Sequence, residues 1–147
     1  EEGSTKELPG PKHLYLPTDG GKYVLLYSIQ SDTIKVMETS PKKLIDYETT
    51  NGEVPIRNWL DGLDGTISAR IEARLKRVAI GNLGDTKPIG QGVSELRLTF
   101  GSGYRIYFGQ HEDEIIILLC GGDKSSQSDD IEMAKSYWLD FKRRNNV

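Results

Sequence analysis

Two stretches of strict alternation, separated by a three-residue glycine turn, constrain this 147-residue chain more than any other feature. In residues 93–100, Leu96, Leu98 and Phe100 fall on one face of an extended chain, and Glu95, Arg97 and Thr99 fall on the other. Gly101-Ser102-Gly103 turns the chain back into residues 104–108, where Tyr104, Ile106 and Phe108 alternate with Arg105 and Tyr107. After the acidic turn His111-Glu112-Asp113-Glu114, residues 115–120 are apolar on both faces, the pattern of an interior strand. A sheet built this way needs covering, and amphipathic helices lie before and after it. Pro55 suits the first turn of a helix, with Ile56, Trp59, Leu60 and Leu63 at i, i+3, i+4 and i+7. A second helix is predicted over 66–80, with Ile67, Ile71, Leu75 and Val78 in one stripe and Gly81 as its stop. A third is predicted over 128–144, capped by Ser128 and burying Ile131, Ala134, Trp138 and Phe141. Asp129, Asp130 and Glu132 suit its positive end, and Lys142, Arg143 and Arg144 its negative end.

A further strand over 44–50, in which Ile45, Tyr47 and Thr49 alternate with Asp46 and Glu48, precedes the first helix. The order from Lys42 is therefore strand, helix, helix, three antiparallel strands, helix, an α+β layer with a small antiparallel-rich sheet. Residues 82–91, with Gly84, Pro88 and Gly90, read as a loop. Upstream, residues 1–12 read as a flexible lead-in, and 13–37 as a β-meander with turns at residues 17–21 and at Ser31-Asp32. The division expected is an N-terminal extension over 1–41 and a second domain over 42–147. About 25 residues of meander cannot enclose a core alone, so they must pack on the downstream domain or on another chain. The chain begins with Glu, and no charged-then-apolar signal segment comes after it. The expectation is a trimmed or artificially exposed terminus, no membrane span and a cytoplasmic location.

Charge sharpens the functional reading. The net charge of −3 argues against indiscriminate nucleic-acid binding. Residues 65–109 nevertheless carry seven basic against three acidic side chains, a basic island in an acidic chain. Arg70, Arg74 and Arg77 recur at i, i+4 and i+7 of the second helix, either as a solvated face or as a row for phosphates. With Phe100 facing Tyr104 across the turn, Arg97 would lie opposite Tyr107 and Thr99 opposite Arg105. Both arginines would then leave the same sheet face, where they repel unless an acid such as Glu95 or a ligand anion sits between them.

Several chemistries lack their parts. There is no phosphate-binding glycine loop, no dinucleotide fingerprint and no Cys/His metal spacing, so no metal or cofactor is expected. With His13 and His111 alone, no Ser/His/Asp set can form; His111 sits in an acidic turn where exposure is expected. Cys120, the single cysteine, ends an apolar run and reads as a buried thiol.

The stretches Gly92-Val93-Ser94-Glu95-Leu96-Arg97, Phe100-Gly101-Ser102-Gly103-Tyr104-Arg105-Ile106-Tyr107-Phe108 and Leu118-Leu119-Cys120-Gly121-Gly122-Asp123-Lys124 closely resemble the HigB-like "addiction module killer protein" branch of the RelE/ParE toxin superfamily. The likeness extends through Trp59-Leu60, Gly81-Asn82-Leu83-Gly84-Asp85 and Ala134-Lys135, covering about residues 42–144. It implies a RelE-like β-α-α-β-β-β-α fold and a bacterial type II toxin. That toxin would be a ribosome-dependent, metal-independent mRNA endonuclease, silenced by a HigA-like helix-turn-helix antitoxin through which alone it would meet operator DNA. Cleavage by the ribose 2′-hydroxyl needs a base, cations for the phosphorane and an acid for the leaving oxygen. The candidates are Arg97, Arg105 and Lys124, with Tyr107 or Glu95 as proton handlers; Lys87, Arg70, Arg74 and Arg77 would hold RNA. Phe100 stands where the best-known RelE toxin has an arginine, and Arg105 could equally be scaffold bridged to an acid. Two other functions fit the same superfamily: a ParE-like DNA gyrase inhibitor, and a non-catalytic antitoxin-binding domain.

Overall fold

The computed structural model describes residues 6–8, 13–18, 20–30 and 33–147. Their elements in chain order are β1 (Lys6–Leu8), β2 (His13–Pro17), β3 (Tyr23–Gln30), β4 (Thr33–Thr39), β5 (Lys43–Asp46), α1 (Pro55–Asp61), α2 (Gly65–Ala79), β6 (Thr86–Gly90), β7 (Val93–Arg97), β8 (Arg105–His111), β9 (Ile115–Gly122) and α3 (Gln127–Asn145). Strands β1 to β4 form an antiparallel sheet in sequence order, and the other five form a second sheet in the order β5-β9-β8-β7-β6. The second sheet is mixed, because β5 runs parallel to β9 while its other neighbours are antiparallel. The architecture is α+β.

Two expectations are corrected in the strands. The lead-in contains β1, which pairs with β2 from Lys6↔Tyr15 to Leu8↔His13. The segment read as a loop over 82–91 contains β6, whose Pro88 is tolerated because β6 is an edge strand. Gln91 and Gly92, both at positive φ, close the β6–β7 hairpin as a two-residue turn. The Ser31-Asp32 turn and Asp19 of the first turn lie outside the described residues. Thr39 ties the first sheet to the end of α2: its buried hydroxyl lies within hydrogen-bonding distance of the carbonyls of Ile80 (2.9 Å) and Tyr23 (3.2 Å). Lys42 N–H then donates to Ala79 O at 2.7 Å, so the start of β5 is hung from the end of α2.

The five-stranded sheet is covered on both faces. Ile56, Leu60, Ile71, Leu75 and Val78 of α1 and α2 pack on Leu96, Ile106, Phe108, Ile116 and Leu118. Ala134 and Trp138 of α3 pack on Val93, Tyr107, Ile117, Leu119 and Cys120. Residues 115–120 are thus apolar on both faces for the reason expected. Each layer lies close because a glycine sits under a tryptophan. A Cβ on Gly121 would fall 2.2 Å from the Trp59 ring, and one on Gly109 would fall 2.3 Å from the Trp138 ring. A bulge in β9, where Tyr107 pairs with Cys120 and Phe108 with Leu118, resets the alternation so that Gly121 faces α1 and Gly122 faces α3. Among the described residues no helix is long and apolar enough to cross a membrane.

Helix α3 starts one residue before the expected start, and Ser128 is not its cap. Asp123 opens a single 3₁₀ turn, Lys124–Ser126, by accepting from Ser125 N–H at 2.8 Å, and the Ser126 hydroxyl reciprocates at Asp123 N–H. At the other end, the Tyr47 hydroxyl donates to Asp140 at 2.6 Å and Arg144 grips the same carboxylate at 2.7 Å. These contacts hold Asp140 below the usual carboxylate range, the Tyr47 bond contributing most. Burial above all pushes the Tyr47 phenol up to about 12. A lowered carboxylate stabilises the fold fully above its unfolded pKa, about 3.9, and loses that contribution as pH falls through the folded value. Urea unfolding at stepwise lower pH should therefore show the gap between wild type and Asp140→Asn narrowing below about pH 4. A gap independent of pH would mean the charge contributes nothing.

Candidate functional site

The register of β7 and β8 sets Arg97 directly opposite Arg105 and Glu95 directly opposite Tyr107. The expected pairings, Arg97 with Tyr107 and Thr99 with Arg105, are displaced by two residues. Strand β7 ends at Arg97, and Phe100 leaves the ladder to meet Tyr104, with ring centroids 5.7 Å apart. An even displacement preserves the faces, so both arginines remain on the α3 side of the sheet.

Directly opposed like charges destabilise a sheet unless something compensates them. Arg97 reaches Asp85 at 3.3 Å, with both side chains roughly half-exposed. Arg105 is mostly buried; it donates to Gly103 O at 2.7 Å, and its Nε lies 3.5 Å from Glu95 Oε1. That last contact is electrostatic and not an aligned hydrogen bond, since the Nε atoms of both Arg97 and Arg105 are buried without a hydrogen-bond partner among the described residues.

Beneath the arginines lies a buried polar group. Glu95, 2% exposed, accepts from the Tyr107 hydroxyl at 3.1 Å and from Gln127 Nε2 at 2.9 Å. Tyr107 is fully buried, which corrects its expected place on an open polar face: α3 covers it. Burial first, then the Glu95 charge, drives its phenol pKa far above the ordinary value. The first turn of α3 closes the group. Asp130 accepts from the Ser126 hydroxyl and lies so close over Gly122, the β9 partner of Arg105, that a Cβ there would fall 1.8 Å from its carboxylate. Burial pushes the Asp130 carboxyl up.

Lys124 stands exposed at the rim. Its Cβ and the Arg105 guanidinium flank Gly103 from two sides, 3.6 and 3.5 Å from where a Cβ on that glycine would be. Lys87 is exposed on β6 opposite Glu95, at the outer end of the same row.

The arginine row of α2 divides. Arg74 is corrected from an RNA contact to a structural residue: it is buried and donates to Asn82 O at 3.2 Å and to Leu83 O, holding the chain that leads into β6. Arg74→Ala should cost about 1.5–3 kcal/mol in chemical unfolding, as loss of hydrogen bonds from a charged donor does. A neutral result would show that water replaces it. Arg77 is half-exposed near the end of α2, a helix on the opposite face of the sheet from Arg97 and Arg105. Arg70 is exposed and stacks over Phe100, 3.9 Å from the ring centroid. His111 lies at the far end of β8 from Arg105, with Glu112 at 3.7 Å. Cys120 is buried, and desolvation pushes its thiol up to about 12. A cleft of about 260 Å³ between α1, α2 and β5 contains Arg57, but Asp46 at 2.8 Å and Glu72 at 2.7 Å neutralise it.

Sequence reasoning missed Ser126, Gln127 and Asp130. The signals were present: Asp123 and Ser126 carry capping chemistry three residues apart, and Gly121-Gly122 marks a close approach from both sides.

Residues 58–136 match the family model described as phage-derived protein Gp49-like (DUF891). An uncharacterised protein of Haemophilus influenzae is 47% identical over 79 residues, 53% of this chain and 80% of that relative. The matched stretch includes Arg70, the β7–β8 turn and the first turn of α3. The chain therefore belongs to the phage-derived Gp49-like (DUF891) family, within the RelE/HigB-like superfamily of toxin–antitoxin toxins, a membership that implies an antitoxin as its partner.

Proposed function

We propose that this domain is a HigB-like endoribonuclease that cuts mRNA on the ribosome and is silenced by a HigA-like helix-turn-helix antitoxin. The observation that carries the reading is the opposed pair Arg97 and Arg105 on one face of the sheet, with Lys124 beside them. Such a group suits a phosphate, whose oxygens accept from guanidinium and ammonium donors. In the reaction, a ribose 2′-oxygen attacks the adjacent phosphorus and the P–O5′ bond breaks. The 2′-hydroxyl gives up its proton and the departing 5′-oxygen takes one, leaving a 2′,3′-cyclic phosphate and a 5′-hydroxyl. Arg105 and Arg97 stabilise the phosphorane charge, and Lys124 neutralises the exposed side of the same phosphate. Glu95 and Tyr107, buried under Arg105, act as positioning residues that hold the guanidinium rather than touching RNA. Arg70 and Lys87 extend the contact to neighbouring nucleotides, and Arg77, like Lys76 beside it, is a further basic residue of α2 left to RNA.

Expression without the antitoxin should arrest growth, with transcripts ending in 5′-hydroxyls. Purified toxin with ribosomes and mRNA should produce the same ends, and mRNA incubated with the toxin alone should stay intact. Growth arrest with intact transcripts and blocked supercoiling would instead identify a gyrase inhibitor. Antitoxin binding without toxicity would identify a non-catalytic domain.

A further inference from the structure

Phe100 opens the turn whose far side touches the proposed phosphate site. Gly103 N–H donates to Phe100 O at 3.3 Å, and Gly103 is the residue flanked by Arg105 and Lys124. The Cα atoms at the two ends of such a turn lie within about 7 Å, so a strand of RNA crossing the turn passes from the α2 side, where Phe100 packs, to the α3 side, where Arg105 leaves the sheet. The Phe100 ring is held from behind: Tyr104 lies 5.7 Å away at 49°, and Trp59 lies 6.2 Å beyond Tyr104. Arg70 lies over this ring at 3.9 Å and is exposed, and among the described residues no carboxylate pairs with it. A guanidinium placed like this has one face on an aromatic ring and its charge unspent. Its outer face is planar, cationic and open to solvent. Unpaired nucleobases stack on such planes, and on aromatic rings, without regard to sequence.

We propose that Arg70 and Phe100 form a nucleobase platform, on which one unpaired base of single-stranded RNA stacks while its neighbouring phosphate is held by Arg105 and Lys124. This rests on the reading of the site as one for RNA phosphates. It assigns Phe100 a function that its half-buried apolar side chain alone does not suggest, and it separates Arg70 from its helix neighbours. Arg74 is occupied by backbone carbonyls, while Arg77 has no aromatic partner among the described residues.

The test uses the full chain and short single-stranded RNA oligonucleotides carrying 2-aminopurine or an abasic site at successive positions. Wild type should quench 2-aminopurine at one position, and an abasic site there should weaken binding roughly ten- to hundredfold. Arg70→Lys keeps the charge and removes the plane, so it should lose both the quenching and the abasic penalty; Phe100→Leu should do the same. If Phe100→Leu does not fold, the wild-type abasic series and Arg70→Lys carry the test. Arg105→Ala should weaken binding of base-containing and abasic RNA alike. If wild type binds, Arg105→Ala weakens it, and yet abasic RNA binds as tightly as intact RNA, the platform is overturned while the phosphate site stands. Quenching unchanged in Arg70→Lys would also overturn it, because charge alone would then suffice. No oligonucleotide binding by wild type, with ribosome-dependent cleavage unchanged in Arg105→Ala, would overturn both readings together.

Discussion

Arg105→Ala should lower RNA cleavage about a hundred- to thousandfold, the scale of losing one preorganised electrostatic donor. It should also destabilise the protein, for a separable reason. Arg105 is the cation nearest the buried Glu95 carboxylate, at 3.5 Å, and removing one partner of a buried pair leaves the other charge uncompensated. The cost of that is about 3–5 kcal/mol, with the lower end favoured because Tyr107 and Gln127 still donate to Glu95. The double variant Arg105→Ala/Glu95→Gln removes the stranded charge and should regain most of the stability while cleavage stays low. Chemical unfolding beside ribosome-dependent cleavage measures the two effects. If the double variant regained cleavage, Arg105 would matter only as the partner of Glu95, and the phosphate reading would fail.

Trp138→Ala should cost about 3–5 kcal/mol, lowering Tm on the order of 10 °C. The indole is the main anchor of α3 on the sheet. It covers Gly109, stands 2.7 Å from where a Cβ on Gly92 would lie, and stacks on Phe141 with centroids 5.5 Å apart at 7°. A double-mutant cycle isolates the close approach. Gly109→Ala in the wild type pushes a methyl into the ring and should cost about 1–3 kcal/mol, whereas in Trp138→Ala the methyl enters space the indole has vacated and should cost close to nothing. Equal costs in the two backgrounds would mean that the sheet, and not the indole, resists the methyl. Since Gln127 reaches Glu95 from the start of the same helix, loosening α3 should also reduce cleavage.

Much of this could be read along the chain. Alternation in 93–100 and 104–108 set the two faces of the central strands, and the helical stripes at Ile56, Leu60, Ile71, Leu75 and Val78 identified one core layer. The site was legible as a set of residue types on one face, because side-chain period survives an even change of register. Its pairing was not legible. A single sequence does not reveal that Phe100 leaves the ladder for Tyr104 and Arg70, and that departure is what brings Arg97 opposite Arg105. Edge strand β6 was hidden by Pro88, which normally argues against a strand. Arg74 looked like its neighbours at i−4 and i+3, and its burial depends on carbonyls that the next loop brings to it.

The sequence by itself determined the layers, the sign of the charge in 65–109 and the sheet face that carries it, since these arise from local periodicity and composition. Tertiary structure decided which cations are available and which are spent. The bulge in β9 turns Gly122 toward α3, so that Asp130 can lie over the partner of Arg105. Helix α3 then covers Tyr107 and Glu95, so that two residues expected at the surface become buried support for the arginine above them. Burial and charge compensation depend on atoms brought from other elements, as Gln127 is brought from the start of α3 to Glu95 on β7, and no local pattern encodes that approach.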